Sequence, residues 1–406
     1  MGMAHGFSIE QASDKKKTAV NNKKRKRGRI FFSLMTSISE VDHIMLLTVL
    51  LLSLFGSFMI FSASTAYAEI RFGDAYYFVR RQALWCALGI LAMLLFSMIP
   101  LNKIKPYVPH MYGITLFLLL LVPLFGTEAG GAKRWIAIGP LTFQPSELAK
   151  TLLVMILAYY FSSDKVRARI WQGRKSSFLH GILYPLSFLL LLCGFILPEK
   201  HLSCIIILGV LCIALIFLAG GNGKILGIMC GSGALAVTAF ALAVDYTRRR
   251  ITIWLNPELY PRDGGWQTLQ GLMAIGSGGL FGLGYGNSRL KYLYVSEPQN
   301  DFIFTILCEE LGFFGAFLAL SLFAVFVYRG TAIAARHPDI FSSLVVMGLT
   351  LKVAIQVLLN ICVITNTLPN TGISLPFFSY GGSSLVMLFA EMGLILSASK
   401  SSHIPR

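Results

Sequence analysis

Long apolar runs separated by short polar segments make up most of the chain after about residue 40. A helix needs about 20 mostly apolar residues to cross a bilayer, and these runs have about that length. The runs lie at 44–63, 77–99, 108–126, 147–161, 179–197, 203–219, 225–244, 302–328, 341–365 and 383–398. The pattern therefore predicts an all-α polytopic membrane protein with about ten transmembrane helices.

The composition agrees with this prediction. Of 406 residues, 55% are apolar and only 13% are charged, whereas a soluble domain has about 25% charged residues. These fractions exclude a soluble enzyme, a disordered chain and a receptor with one span and a large ectodomain. The seven cysteines nearly all lie inside apolar runs and none forms a CxxC pair, so we expect neither a disulfide nor a metal site from them.

Basic residues set the predicted orientation. Nine of the 35 basic residues lie between Lys15 and Arg29, and positive charge favours the cytoplasmic side. Residues 1–40 are thus a basic cytoplasmic tail, 41–398 the transmembrane domain and 399–406 a short cytoplasmic tail, because an even number of spans returns the chain to the same side. Such a tail could also bind nucleic acid, but anionic lipid head groups explain it better, and we predict no nucleic-acid partner.

Three segments are expected on the outer side: Gly126–Ser146, Asp245–Asn300 and Asn366–Gly382. The second is a large outer loop between spans 7 and 8. All three are rich in glycine, proline or tryptophan, and basic residues occur where the positive-inside rule disfavours them. Such residues indicate an anionic ligand. They are Lys133, Arg134, Arg248, Arg249, Arg250, Arg262, Arg289 and Lys291.

The segment GAKRWIAIGPLTFQPSELAK carries the strongest local pattern. Pro145 suits the first turn of a helix, which would place Glu147 and Lys150 on one face as that helix enters the membrane. They form either an ordinary neutralised pair or part of a site, since ionisable groups inside a span usually face a cavity or one another. Lys133 and Arg134 could together hold a phosphate or pyrophosphate group.

The segment SEPQNDFIFTILCEELG places Asp301 immediately before a strongly apolar run. Asp301 is either an N-cap that accepts hydrogen bonds from free backbone N–H groups or a partly desolvated carboxylate that acts as a general base. Glu309 and Glu310 lie two turns deeper. At least one of them must be paired, because two bare carboxylates in hydrocarbon are very costly.

Two further segments are broken by glycine and proline. Gly278, Gly282 and Gly286 repeat every four residues without matching GxGxxG, which suits close helix packing or a re-entrant segment. The segment NTLPNTGISLPFFSYGGSS enters the last span irregularly. Irregular backbone at membrane depth requires cover by protein or a watery cavity.

The order of these segments along the chain resembles the FtsW/RodA/SpoVE family of ten-span membrane proteins. The resemblance implies a peptidoglycan glycosyltransferase of the bacterial cytoplasmic membrane. Such an enzyme polymerises lipid II beside a class B penicillin-binding protein and divisome or elongation proteins, in division, elongation or sporulation. Asp301 falls on the DFIF aspartate that is regarded as the family's catalytic carboxylate. Glu147 and Lys150 fall on its QPSE–K pair.

One motif departs from the family pattern. Where many members have QPDLGT, this chain reads EKHLSC, so that His201 stands in place of an aspartate. Glu199 could substitute, or His201 could bind phosphate directly. The resemblance leaves any cofactor open, with a divalent cation such as Mg²⁺ as the one candidate, and no metal-ligating residue is assigned. The expected substrate-binding residues are Lys133, Arg134, Glu147, Lys150, His201, Arg248, Ser379 and Gly381.

The enzyme hypothesis fits the residues, because polymerisation needs one base on the acceptor hydroxyl and positive charge near the departing pyrophosphate. Two alternatives remain. A lipid II flippase would use intramembrane charges such as Lys150, Lys352 and Glu391 to line a path, and a scaffold would only position the penicillin-binding protein. Loss of Asp301 should abolish polymerisation but spare a flippase.

Overall fold

The structure is a computed structural model. It describes residues 40–129, 132–139, 141–199, 201–221, 223–228, 231, 233, 245–260, 265–292, 294 and 297–402.

Helices form nearly all of the regular structure within those ranges. Those of eight residues or more are α1 His43–Phe72, α2 Tyr77–Ser97, α3 Val108–Phe125, α4 Pro145–Phe161, α5 Asp164–Trp171, α6 Tyr184–Ile196, α7 Leu202–Leu218, α8 Asp245–Leu255, α9 Gly265–Ser277, α10 Ile303–Arg336, α11 Ile340–Ile364 and α12 Gly382–Ser399. Shorter helical turns are Leu101–Ile104, Lys105–Tyr107, Arg174–Phe178, Leu179–Leu183, Leu197–Glu199 and Pro257–Leu259.

The prediction of a helical polytopic membrane protein is confirmed, with a different count of long spans. Within the described residues, 7 helical stretches are long and apolar enough to cross a membrane, two of them extending α3 to Leu101–Phe125 and α6 to Lys175–Glu199. Helices α4 and α7 have only 17 residues each. The run at 225–244 lies largely outside the described residues, so its predicted span is not among them.

Helix α4 explains how a short, charged helix lies inside the bundle. It packs against α3, α6, α7 and α11, and most of its side chains are buried, including that of Lys150. A helix that is covered on nearly all sides by protein does not need the uniformly apolar surface that lipid demands. Its polar residues therefore face neighbouring helices.

A small sheet is an addition to the predicted all-α architecture. Strands β1 Thr127–Ala129, β2 Ala132–Ile138 and β3 Leu141–Phe143 pair antiparallel in that order. The residue pairs include Thr127 with Trp135 and Ile136 with Phe143. The sheet satisfies backbone groups of the outer segment Gly126–Ser146, and it fixes which face each side chain points to.

Different segments of the chain lie at the two ends of the helix bundle. At one end, Asp42 pairs with Arg329 and its N–H donates to Ser399 Oγ at 3.0 Å, while Lys400 Nζ donates to Ser97 O at 2.6 Å. Lys105 lines a cavity of about 320 Å³ with residues 159–166 at that end. The start of α1 and the ends of α2, α10 and α12 thus lie together, and the three predicted outer segments meet at the opposite end.

A glycine-rich segment packs into a break in α10. The break lies at Gly312, whose φ is 64°. A Cβ on Gly278 would lie 1.9 Å from Cys308 O, and one on Gly282 would lie 2.2 Å from Glu310 O. Leu283 N donates to Glu309 O at 2.9 Å. Close packing is therefore confirmed at Gly278 and Gly282, whereas a Cβ on Gly286 would meet open space.

Candidate active site

Asp301 does not cap a helix, so the N-cap alternative is wrong. Helix α10 begins at Ile303, and the residue at its N-cap position is Phe302, which makes no side-chain cap. No group in the described part of the chain donates a hydrogen bond to the Asp301 carboxylate. The carboxylate is thus left available for another partner.

The surroundings of Asp301 favour a base that is poised near neutral pH. Burial, and to a lesser extent Glu297, raise the pKa of Asp301 to about 6 against the opposing charge of Arg134. The carboxylate faces the backbone of Gly372, where a Cβ would lie 3.1 Å from Oδ2. Gly372 has a φ of +67°, a conformation in which a residue other than glycine is strained.

The three predicted outer segments converge around Asp301. Ser379 Oγ donates to Asn300 O at 2.9 Å, which joins the third segment to the second. Arg250 Nη1 donates to Asn370 O at 3.2 Å. Arg134, from the first segment, is close enough to act on the pKa of Asp301. The site is therefore assembled from segments that are far apart in sequence.

The sheet separates the two basic residues that were predicted to hold a phosphate together. Lys133 and Arg134 are consecutive in β2, and consecutive strand residues point to opposite faces. Lys133 is exposed. Arg134 is half-buried, donates from Nε to Glu199 O at 3.3 Å, and influences both Asp301 and His201. Arg134 alone is thus placed near the carboxylate.

His201 joins this site as a neutral group. Burial, followed by the charges of Arg134 and Lys150, lowers the pKa of His201 to about 4 against the opposing charge of Glu147. Its Nδ1 lies 3.2 Å from Ser146 Oγ and 3.5 Å from Gln144 Nε2. His201 therefore connects α7 to the start of α4 through hydrogen bonds of its ring, and phosphate binding by His201 stays a prediction.

Glu199 is a buried carboxylate beside His201. Its side chain is 1% exposed, and neither carboxylate oxygen has a hydrogen-bond partner in the described structure. A buried polar group without a partner is costly. Glu199 is therefore a buried acid without a hydrogen-bond partner in the described structure, two residues before His201.

The glutamate–lysine contact that the helical spacing predicted is confirmed. Lys150 Nζ lies 2.8 Å from Glu147 Oε1, and Lys150 is 2% exposed. Glu147 and Ser379 line a common cavity of about 40 Å³, far smaller than the roughly 300 Å³ of a typical ligand pocket. The cavity has room for water-sized groups and not for a sugar. The substrate-binding role of Glu147 and Lys150 stays a prediction.

A second buried pair lies deeper between α11 and α12. Lys352 Nζ donates to Glu391 Oε2 at 2.6 Å, and Thr151 on α4 also donates to Glu391. Both charged side chains are almost fully buried. These groups bind one another across three helices, and Lys352 also lines the small cavity beside Glu147.

The remaining predicted binding residues have structural contacts of their own. Ser379 Oγ accepts from Leu375 N at 2.7 Å as well as donating to Asn300 O. Gly381 is the N-cap residue of α12. Arg248 is exposed on α8, while Arg262 lies outside the described residues. Substrate binding by Ser379, Gly381 and Arg248 stays a prediction.

The prediction that a deep glutamate must be paired is confirmed at Glu310. Lys291 Nζ lies 3.1 Å from Glu310 Oε1, and Lys291 is only 3% exposed. Glu309 accepts hydrogen bonds from Ser288 Oγ and, at 3.0 Å, from Arg289 N. Lys291 was grouped with the outer basic residues, but it is a buried partner that fixes the glycine-rich segment to α10.

Asn360 on α11 is a residue of the site that sequence reasoning missed. Its Nδ2 donates to Asp301 O at 2.9 Å and to Ile373 O at 2.6 Å. A lone asparagine inside the apolar run 341–365 was the available signal, because polar residues within a span usually have a specific partner.

The charged groups of the described site do not include a cluster of three potential metal ligands. Within the described residues, no three His, Cys, Asp or Glu side chains come together as a possible metal site. The charged groups that act on Asp301 are Glu297 and Arg134, and Arg134 cannot ligate a cation. Mg²⁺ is commonly held by only one or two carboxylates together with substrate phosphates, so a divalent cation at this site stays a prediction.

Similarity to known proteins covers nearly the whole chain. Stage V sporulation protein E of Bacillus subtilis (strain 168) is 37% identical over 378 residues, covering 91% of this chain and 99% of that protein. A protein named probable peptidoglycan glycosyltransferase FtsW, of Geobacter sp. (strain M18), is 34% identical over 370 residues, covering 90% and 98%.

The fold also has a solved counterpart. A chain from a structure described as "Structural coordination of polymerization and crosslinking by a peptidoglycan synthase complex" superposes with a TM-score of 0.74 at 26% identity, covering 89% of this chain and 98% of that one. Residues 42–404 match the FTSW_RODA_SPOVE family model, described as a cell cycle protein. The chain therefore belongs to the FtsW/RodA/SpoVE family.

Proposed function

We propose that this chain is a peptidoglycan glycosyltransferase that polymerises lipid II into β-1,4-linked glycan strands by an inverting reaction. The observation that carries the proposal is Asp301. It is a carboxylate with no structural hydrogen bond in the described chain, beside Arg134, where three outer segments meet. Relatives with names that state this activity, and a solved relative from a peptidoglycan synthase complex, support the assignment.

The proposed chemistry uses one base and one cationic group. Asp301 accepts the proton of the acceptor hydroxyl while that hydroxyl's oxygen attacks the anomeric carbon of the donor sugar. The bond from this carbon to the pyrophosphate breaks on the opposite face. Attack opposite to the leaving group inverts the α-linked donor to a β linkage. Arg134 stabilises the negative charge that develops on the departing pyrophosphate. A divalent cation such as Mg²⁺ would be held largely by the pyrophosphate, because the described residues contain no cluster of three potential metal ligands.

The proposed setting is the outer face of the bacterial cytoplasmic membrane, with both termini cytoplasmic. The partner is a class B penicillin-binding protein, within the assembly that serves division, elongation or sporulation. A membrane-bound polymerase suits lipid II, because the growing strand and the donor both keep their lipid anchors in the same bilayer as the enzyme.

The direct test of the function is polymerisation by the purified chain. Lipid II is supplied in detergent or liposomes, with and without the class B penicillin-binding protein that the host encodes, and the glycan products are separated by length. We expect glycan strands in the presence of the partner. Absence of strands under all conditions, together with intact binding of the partner, would overturn the proposal in favour of a scaffold.

The buried charge pairs weaken the flippase alternative. Lys150 binds Glu147 within α4, and Lys352 binds Glu391 between α11 and α12, so the intramembrane charges considered for a transport path are paired with one another. The order of the segments and the position of Asp301 favour polymerisation over transport.

The proposed orientation has its own test by thiol labelling. A cysteine introduced at Trp266 should react with a membrane-impermeant thiol reagent in intact cells, because α9 lies in the predicted outer segment. A cysteine at Gln172 should react only after the cells are opened. Six of the native cysteines are only partly exposed or buried, and the parent chain provides the background signal. The reverse labelling pattern would contradict the topology.

A further inference from the structure

Three consecutive backbone carbonyls before α10 are each held by a donor from the α11–α12 region. Gln299 O accepts from Tyr380 N at 2.9 Å, Asn300 O accepts from Ser379 Oγ at 2.9 Å, and Asp301 O accepts from Asn360 Nδ2 at 2.9 Å. The segment that carries Asp301 is therefore fastened to residues that lie 59 to 81 positions later in the chain.

Asn360 joins the backbone of Asp301 to a second stretch of backbone. Its amide also donates to Ile373 O at 2.6 Å, so both N–H bonds of Nδ2 are used on two separate pieces of backbone. The residue is fully buried at 0% exposure. Asn360 thereby fixes the distance between the Asp301 main chain and the backbone on the other side of the carboxylate.

That opposite backbone is the turn at Gly372, adjacent to Ile373. A Cβ on Gly372 would lie 3.1 Å from Asp301 Oδ2, and Ser203 on α7 donates to the neighbouring Thr371 O. The turn is thus held from two sides, and the carboxylate lies against it with no side chain between. A small shift of either backbone would change the direction in which the carboxylate points.

We propose that Asn360 is a positioning residue for the Asp301 carboxylate, because its amide holds the backbones of Asp301 and Ile373 at a fixed separation. This inference rests on the proposed glycosyltransferase function. Asn360 contacts only main-chain atoms in these bonds, so it acts through Asp301 and not on substrate. Misplacement of a reacting group by about 1 Å can cost about 100-fold in rate, which sets the scale of the expected effect.

The test compares Asn360→Leu with Thr350→Val, a matched control. Leucine keeps a similar shape without the two donors. Thr350 lies on the same helix, is also fully buried, and donates only to Val346 O within α11 at 2.7 Å. Asn360→Leu should lower kcat for lipid II polymerisation by about 10- to 100-fold with little change in KM, whereas Thr350→Val should leave both constants near the parent values.

The pH profile separates positioning from general destabilisation. Polymerisation should fail as the pH drops through the pKa of Asp301, which burial and Glu297 raise and Arg134 lowers. The groups that hold it from α11 and the α11–α12 connection, Asn360 and Ser379, are uncharged. Asn360→Leu should loosen the contact between the Asp301 and Ile373 backbones and admit water to the Asp301 carboxylate. The carboxylate is then less desolvated, so its pKa falls and the acid limb of the pH–rate profile should move to lower pH.

The outcomes are distinct. A loss in kcat with a shifted acid limb supports the inference, and parent-like kcat and acid limb in Asn360→Leu overturn it. A loss in kcat that matches a lower melting temperature and leaves the acid limb of the pH–rate profile unshifted also overturns the inference. If Asn360→Leu does not fold, Asn360→Ser, which keeps one donor, is measured by the same criteria. Absence of activity in the parent chain with its partner would instead refute the proposed function.

Discussion

Asp301→Asn is expected to lower the rate of lipid II polymerisation by about 100-fold or more, the usual range for a lost acid–base group. Asparagine has nearly the same shape, but its amide cannot accept the proton of the acceptor hydroxyl. Stability should change by about 1 kcal/mol or less, because the carboxylate caps no helix and receives no hydrogen bond in the described chain. The measurement is glycan chain growth by both purified proteins at equal melting temperature and equal partner binding.

Asp339→Asn is the matched control for this substitution. Asp339 is a genuine N-cap, and its carboxylate accepts from Ser342 N at 2.9 Å at the start of α11. Asparagine caps about as well as aspartate, so activity and stability should both remain near the parent values. An Asp301→Asn protein that polymerises at a near-native rate would remove the catalytic assignment.

The second large effect is expected at the buried pair of Lys291 and Glu310. All three hydrogens of the Lys291 ammonium have acceptors, namely Glu310 Oε1 at 3.1 Å, Ser62 Oγ at 3.3 Å and Gly286 O at 2.6 Å. Lys291→Met leaves Glu310 as an uncompensated buried charge, which typically costs about 3–5 kcal/mol. The midpoint of thermal unfolding in detergent should therefore fall strongly.

An exposed ion pair provides the comparison. Arg80 and Asp74 lie 2.8 Å apart with side chains 70% and 35% exposed, and such pairs contribute about 0–1 kcal/mol. Arg80→Met should hardly change the unfolding midpoint, although its contact is the shorter one. Lys291→Met combined with Glu310→Gln should recover much of the lost stability. Equal midpoints for Lys291→Met and Arg80→Met would show that Glu310 carries no charge in the folded protein.

The sequence alone determined the class of protein and some of its local contacts. The length and spacing of the apolar runs predicted a helical membrane protein, because lipid requires about 20 apolar residues for each crossing. Helical periodicity also predicted the contact between Glu147 and Lys150, which lie three residues apart. Such features depend on neighbours in sequence, and local geometry is sufficient to read them.

The tertiary structure decided which of the predicted residues act together. Lys133 and Arg134 are adjacent in sequence, but β2 turns them to opposite faces. The sequence does not distinguish Lys291 from the other outer basic residues. In the fold it is buried against Glu310. In both cases the sequence gives the charge of the side chain, whereas its partner depends on the register of a strand or the course of a loop.

Asp301 shows the same difference between what the sequence predicts and what the tertiary structure decides. Its position before an apolar run identified it as a candidate, and the same position allowed the N-cap hypothesis. Only the fold showed that α10 begins too late for Asp301 to cap it, and that Asn360 holds its backbone. Hydrogen bonds between residues 59 positions apart depend on how helices pack. Local sequence fixes the residue types and the helical periods, whereas packing between distant helices fixes the geometry of the site.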